Sequence, residues 1–161
     1  MTVEIRAADI ADAASLAVLA AETFALACPP TTSRAAIDEF IAQNLSPSNF
    51  EAYLADPERD VRVALDDGEL AGYTMLVFGE PADADVSASV TVRPTVELSK
   101  VYLLGHHHGA GVAAPLMAAT LDVARARGAA GVWLGVNQKN ARAIRFYEKS
   151  GFSAVGTKTF L

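Results

Sequence analysis

Apolar and polar positions change their period several times along the chain, and the changes predict its elements. Val3 to Arg6 alternates as a short strand. From Asp9 onward Ile10, Ala14, Leu16, Leu19, Ala20 and Phe24 recur at helical spacing, which predicts a helix beginning at Asp9 and ended by Pro29-Pro30. Ser33 is placed to cap a second helix through Leu45, with Ile37, Phe40, Ile41 and Leu45 as its apolar stripe. Asn49 to Ala55 fits another helical turn or two. The period then falls to that of strands. Val61 to Leu65 and Leu70 to Phe78 flank Asp66-Asp67-Gly68, and an Asp-Gly pair between two such runs signals a hairpin.

A polar link, Glu80 to Asp85, leads through Val86 to Val92 into a strand over Val96 to Leu104. A Gly-rich loop, His106 to Gly111, then precedes a helix reaching about Arg127. Next come a strand over Gly131 to Val136, a helix over Ala141 to Ser150 stopped by Gly151, and a last strand from Phe152. Strands first paired as hairpins and then joined through helices predict a mixed α/β sheet.

Composition narrows the class. At 161 residues the chain is one domain long, and 52% hydrophobic against 20% charged residues supplies a core where a disordered chain would not. The net charge of -6 argues against wrapping a phosphate backbone and favours an electropositive partner or substrate. Cys28 is the only cysteine, so no internal disulfide or multi-cysteine metal cage forms, which suits a reducing cytoplasm. The N-terminus mixes charges where a signal peptide needs a basic start and an apolar run. The uncharged stretch Val101 to Leu121 is interrupted by His106, His107, His108, Gly109, Gly111 and Pro115, so a soluble, cytoplasmic protein is expected.

Two segments could carry chemistry. His108-Gly-Ala-Gly-Val-Ala-Ala114 lies between a strand and a helix, where glycines let the backbone approach a ligand and free N–H groups attract phosphate. Gly109 to Ala114 also fits the dinucleotide fingerprint G-x-G-x-x-A. That fold needs a ribose-binding acid about 20 residues further on, and no Asp or Glu stands between Asp122 and Glu148. In the second segment, Asn140 caps a helix that carries Tyr147 seven residues on, about two turns and on the order of 10 Å along one face.

Together the two segments resemble the GNAT superfamily of acyl-CoA N-acyltransferases, whose loop reads Gln or Arg, two free positions, Gly, one free position, then Gly or Ala. Here that pattern falls on His108, Gly109, Ala110, Gly111, Val112 and Ala113, preceded by the strand Glu97 to Leu104 and followed by Asn140, Ala143, Phe146-Tyr147 and Gly151-Phe152. The resemblance is strong from Val96 to about Gly156 and rests on element order alone in the N-terminal helices. It implies a single domain over 1–161. The expected sheet is mixed and mostly antiparallel, with a splayed parallel pair and helices on both faces. It implies acetyl-CoA as co-substrate and no metal. The backbone of Val101, Tyr102 and Leu103 would hold the pantetheine arm, His108, Gly109, Ala110, Gly111, Val112, Ala113 and Ala114 the pyrophosphate, and Asn140 a point further along. Tyr147 would face the sulfur.

The departures carry information. His108 stands where the family has Gln or Arg and would donate a neutral hydrogen bond or, protonated, a charge, so affinity would depend on pH. Pro115 requires the helix to begin near Gly111. The chain stops at Leu161, where such proteins usually add a strand, which points to a shortened chain or to a partner over that gap. Three adjacent histidines on an extended loop point different ways and make a poor metal site. Trp133 and Phe146 read as core residues.

Glu97, on the strand entering the loop, is the candidate base, acting directly or through water. Glu22 and Glu39 have weaker claims, and Gly135 excludes a base on the following strand. Tyr147 is the candidate acid for the leaving thiolate, and a backbone N–H near Leu103 or Leu104 would polarise the thioester carbonyl. No Cys or Ser stands in a nucleophile motif, so the amine attacks directly. The expected acceptor is a small-molecule primary amine, polyamine-like or otherwise cationic, walled by Glu22, Asp38, Glu39 and Glu97. The expected partners are that amine and, in a homodimer, a second copy, with no nucleic acid and no membrane. The alternative is an acyl-CoA binder without turnover, a sensor or partner subunit, against which Asn140 and Tyr147 together speak.

Overall fold

The computed structural model describes residues 3–104, 111–136 and 139–156. A five-stranded sheet runs in the order β1 (Val3–Ala7), β2 (Arg59–Asp66), β3 (Glu69–Phe78), β4 (Thr95–Leu103) and β5 (Gly131–Trp133). The first three pairings are antiparallel and β4–β5 is parallel. The hairpin between β2 and β3 turns where expected, with Asp67 at φ 51° and Gly68 at φ 87°, the two positive values of the turn that matches strand twist.

One face of the sheet carries α1 (Ala13–Ala27), α2 (Arg34–Asn44) and α3 (Pro47–Ala55). There Leu16, Leu19, Ala20 and Phe50 close over Val61, Val63, Tyr73 and Met75. Ser33 caps α2 as the sequence predicts, and Ser46 with Asn49 caps α3, whose first residue is Pro47. The other face carries α5 (Ala113–Ala126) and α6 (Ala141–Lys149), where Met117 and Ala124 meet Leu76, Val96 and Leu98. In this core Thr120 donates to the Leu116 carbonyl at 2.8 Å, so the Thr74 hydroxyl must be the donor in the 2.7 Å bond between the two threonines.

Several boundaries differ from the expectations. The helix predicted from Asp9 begins as a 3-10 turn, Ile10–Asp12, before α1. Asp12 is held there by two bonds from Arg6, at 2.8 and 3.0 Å, and by the Asp9 N–H. The Arg6 hydrogen bond holds the Asp12 carboxyl below its usual range. The unassigned segment after Glu80 contains a short helix, α4 (Ala84–Ser89), capped by Asp83. The strand expected to reach Val136 ends at Trp133, where its partner turns away. No strand begins at Phe152 within residues 152–156: its N–H donates to Tyr147 O at 3.0 Å and its ring packs edge-on against Tyr147, so the chain folds back over α6.

By length and composition the helical stretch Ile10–Ala27 is apolar enough to cross a membrane. In the fold its inner side is buried on the sheet. The uncharged stretch after Val101 is divided between the end of β4 and α5.

Candidate active site

The site is built around β4. Its pairing with β5 covers only Thr95↔Gly131, Val96↔Val132 and Glu97↔Trp133. Beyond Glu97 the strand keeps β3 on one side and, among the described residues, no strand on the other. This is the splayed parallel pair expected from the sequence. A strand edge left open inside a molecule must satisfy its N–H and C=O groups with something else, and an extended amide-bearing ligand does so.

A second irregularity arranges the side chains. Met75 pairs with Lys100 and Leu76 with Leu98, so Ser99 is an extra residue and β4 bulges there. Before the bulge Val96 and Leu98 face α5; after it Val101 and Leu103 do. Glu97, Lys100, Tyr102 and Leu104 are thereby turned toward α1 and α3, with Tyr102 and Leu104 packed against that core. Simple alternation would have put Glu97 and Lys100 on opposite faces.

Glu97 is half-buried between β3 and β5. Lys100, also half-buried, holds its ammonium over the Tyr53 ring, 5.9 Å from the centroid, while the Arg59 guanidinium lies 4.9 Å from the same ring. Desolvation lowers the Lys100 pKa, Arg59 lowers it further, and Glu97 opposes both. Tyr102 stacks on Tyr73 with centroids 5.8 Å apart, and burial raises both phenols' pKa. Sequence reasoning missed Lys100, Arg59 and Tyr53; an aromatic on α3 and a cation on each of β2 and β4 were visible, but only the bulge and the helix packing bring them together.

The expected cofactor residues fall on adjoining elements. Val101, Tyr102 and Leu103 are half-buried on β4. Gly111 has φ 80°, a left-handed conformation that suits glycine, and it leads directly into α5. Among the described residues no side chain caps the start of α5, which leaves its first-turn N–H groups for an anion, and Pro115 in that turn has none to give. Val112 is fully buried beside Leu103, so only its backbone can meet a ligand; Ala113 is half-buried and Ala114 exposed. His108, Gly109 and Ala110 lie outside the described residues, as do His106 and His107.

Asn140 caps α6 by accepting from the Ala143 N–H at 3.1 Å. Tyr147, two turns on, packs between Phe146 and Phe152 in the cluster that includes Val101. Burial raises its phenol pKa above the usual value and the Tyr102 phenol adds to the rise, so it holds its proton at neutral pH.

Two expectations change. The Leu104 N–H donates to Ala71 O at 2.9 Å and is spent inside the sheet. The acidic wall is not assembled: Asp38 pairs with Arg34 on the exposed side of α2, Glu39 bonds Gln43, and Glu22 lines a groove outside α1. Glu97 is the member that lies on the sheet.

The fold and the sequence have counterparts in known proteins. The model of the acetyltransferase (GNAT) family matches residues 21–152. An uncharacterized N-acetyltransferase of Mycobacterium tuberculosis is 49% identical over 149 residues, 92% of this chain and 88% of the relative. The crystal structure of PaiA N-acetyltransferase from Thermoplasma acidophilum in complex with coenzyme A superposes with a TM-score of 0.79, at 21% identity, over 95% of this chain and 91% of that one. The structure of AAC(6')-Iy in complex with the bisubstrate analog CoA-S-monomethyl-acetylneamine superposes with a TM-score of 0.76, at 16% identity, over 100% and 97%. The chain belongs to the acetyltransferase (GNAT) family. It is accordingly an acyl-CoA-dependent acyltransferase of the N-acetyltransferase type.

Proposed function

We propose that the protein transfers the acetyl group of acetyl-CoA to the primary amine of a small molecule in the cytoplasm. The observation that carries this reading is the opening of β4 beyond Glu97 beside the uncapped, glycine-led start of α5. Acetyl-CoA supplies an activated acetyl thioester. The backbone groups of Val101 and Leu103, which alternate away from β3 while those of the expected Tyr102 turn toward it, would pair with its pantetheine amides, and the backbone of Gly111, Val112, Ala113 and Ala114 would meet the pyrophosphate. Strand alternation turns the Leu103 N–H away from the edge that Leu104 uses, toward the side where a carbonyl is to be polarised. The Asn140 side-chain NH2, its oxygen being engaged in the cap, would donate further along the cofactor.

Glu97 would accept the proton of the acceptor ammonium, directly or through one water, and the neutral phenol of Tyr147 would protonate the departing thiolate. A cationic acceptor is supported by the net charge of -6. The reading is supported by AAC(6')-Iy, a structure of the same fold in complex with the bisubstrate analog CoA-S-monomethyl-acetylneamine. The test is release of free thiol from acetyl-CoA across a panel of polyamines, aminoglycosides and simple amines. Amine-dependent release is expected for at least one cationic class; release for none, or only for neutral and anionic compounds, overturns the acceptor assignment.

Lys100 favours a second acceptor class, an amine that also bears a carboxylate, because its ammonium lies on the sheet face of Glu97 and engages a ring there. Lys100→Met should then raise KM about tenfold to a hundredfold for a carboxylate-bearing amine, as loss of a charged hydrogen bond does, and leave KM for the matching amine lacking the carboxylate unchanged. Equal effects on both compounds would assign Lys100 to general packing.

A further inference from the structure

We propose that the outer face of α1 and α2 is the self-association surface of the protein, closed by a second copy of the chain about a two-fold axis. α1 is apolar beyond its buried side: Leu16, Leu19, Ala20 and Thr23 are buried on the sheet, while Val18, 70% exposed, lies opposite them and Leu26, 68% exposed, lies on the flank. Ile41 of α2 continues this surface, lining one groove with Val18 and Leu26. A helix that is hydrophobic all round is normally buried all round. A contiguous exposed apolar patch marks an interaction site where scattered residues would not.

Charge identifies the occupant. Val18, Ala21, Ala25, Leu26 and Ile41 form an open groove of about 630 Å3, and the two charged residues lining it are Glu22 on α1 and Arg34 on α2. They have opposite sign and sit on different helices, so a two-fold axis through the groove brings Glu22 of each copy toward Arg34 of the other. That is the self-complementarity an isologous interface requires. Among the described residues Arg34 pairs with Asp38, in an exposed pair that contributes little and can be exchanged. Val18, Ala21 and Ala25 recur at three and four residues, and the alanines let two copies of α1 approach closely. A membrane is the poorer occupant, since one arginine in the groove of a chain with net charge -6 offers no attraction to anionic headgroups.

Sedimentation velocity of the full chain over a concentration series tests this. A dimer is expected. Val18→Glu should yield a monomer with unchanged far-UV circular dichroism, because the residue touches solvent in the single chain, and with a thermal midpoint that no longer depends on concentration. Glu22→Arg and Arg34→Glu should each weaken association about tenfold. Their combination should restore it. A monomer at every concentration, a dimer indifferent to Val18→Glu, or a double reversal weaker than either single variant would overturn the proposal. So would a monomer that binds phosphatidylcholine–phosphatidylglycerol vesicles through Val18.

Discussion

Individual side chains in this site are set by small differences of environment. Tyr147 keeps its proton because it is packed between two phenylalanines, with the Tyr102 phenol in electrostatic range. Replacing it with phenylalanine preserves the ring contacts and removes the donor. Tyr147→Phe should therefore leave the acetyl-CoA dissociation constant unchanged and lower kcat by up to 10²- to 10⁴-fold, as measured under conditions where chemistry limits the rate. Unchanged turnover would assign the proton to solvent. At Gly111 the positive φ opposes a side chain. Acetyl-CoA at about 100 times its dissociation constant should stabilise the wild-type chain by about 2.7 kcal/mol. Gly111→Asp should abolish that thermal shift by placing a carboxylate where the pyrophosphate would lie; a full shift in the variant would move the cofactor elsewhere.

At the scale of elements, the position of α5 depends on a polar contact inside an apolar core. The Thr74 and Thr120 hydroxyls are fully buried and bond each other at 2.7 Å, tying β3 to the helix whose start is proposed to meet the cofactor. Thr120→Val keeps the shape but leaves the Thr74 hydroxyl without an acceptor. A loss of about 1–3 kcal/mol in urea unfolding is expected, and the Thr74→Val/Thr120→Val pair should recover part of it. On α6 the role of Asn140 divides in the same way. Asn140→Ala should cost about 1 kcal/mol through the lost cap, whereas Asn140→Asp retains the capping oxygen and removes the amide donor. If Asn140 also contacts the cofactor, both variants should weaken acetyl-CoA binding in calorimetry while only the alanine variant loses that stability.

For the whole molecule, three buried phenols share one pH dependence. Burial raises the pKa of Tyr73, Tyr102 and Tyr147 in the folded state above the unfolded value of about 10. The folded chain thus holds these protons more tightly than the unfolded chain. Their contribution to stability is complete below about pH 10 and is lost as pH rises from there toward the folded-state values. The urea midpoint should consequently fall as pH rises above about 10. The fall should be shallower in Tyr102→Phe, and the same fall in that variant would show that Tyr102 does not contribute.

Local signals in the sequence determined much of this protein. The proline pair after α1, the serine before α2, the Asp-Gly hairpin and the Asn140 to Gly151 segment each act through neighbouring residues, so they are visible without knowing what packs where. The Gly-rich segment and Tyr147 were legible because their order and spacing survive in one dimension. Tertiary structure decided what depends on two distant segments at once. Ser99 bulges because β4 pairs with β3 in a shifted register, and that shift turns Lys100 to the face of Glu97 and toward Tyr53 and Arg59. β5 stops at Trp133 because its partner diverges, although Leu134 to Val136 continue its apolar run. Glu22, Asp38 and Glu39 lie on helices that belong beside the site, yet helix rotation points them outward. A strand register and a helix rotation are fixed by the sum of all the contacts that an element makes, and no single stretch of sequence records that sum.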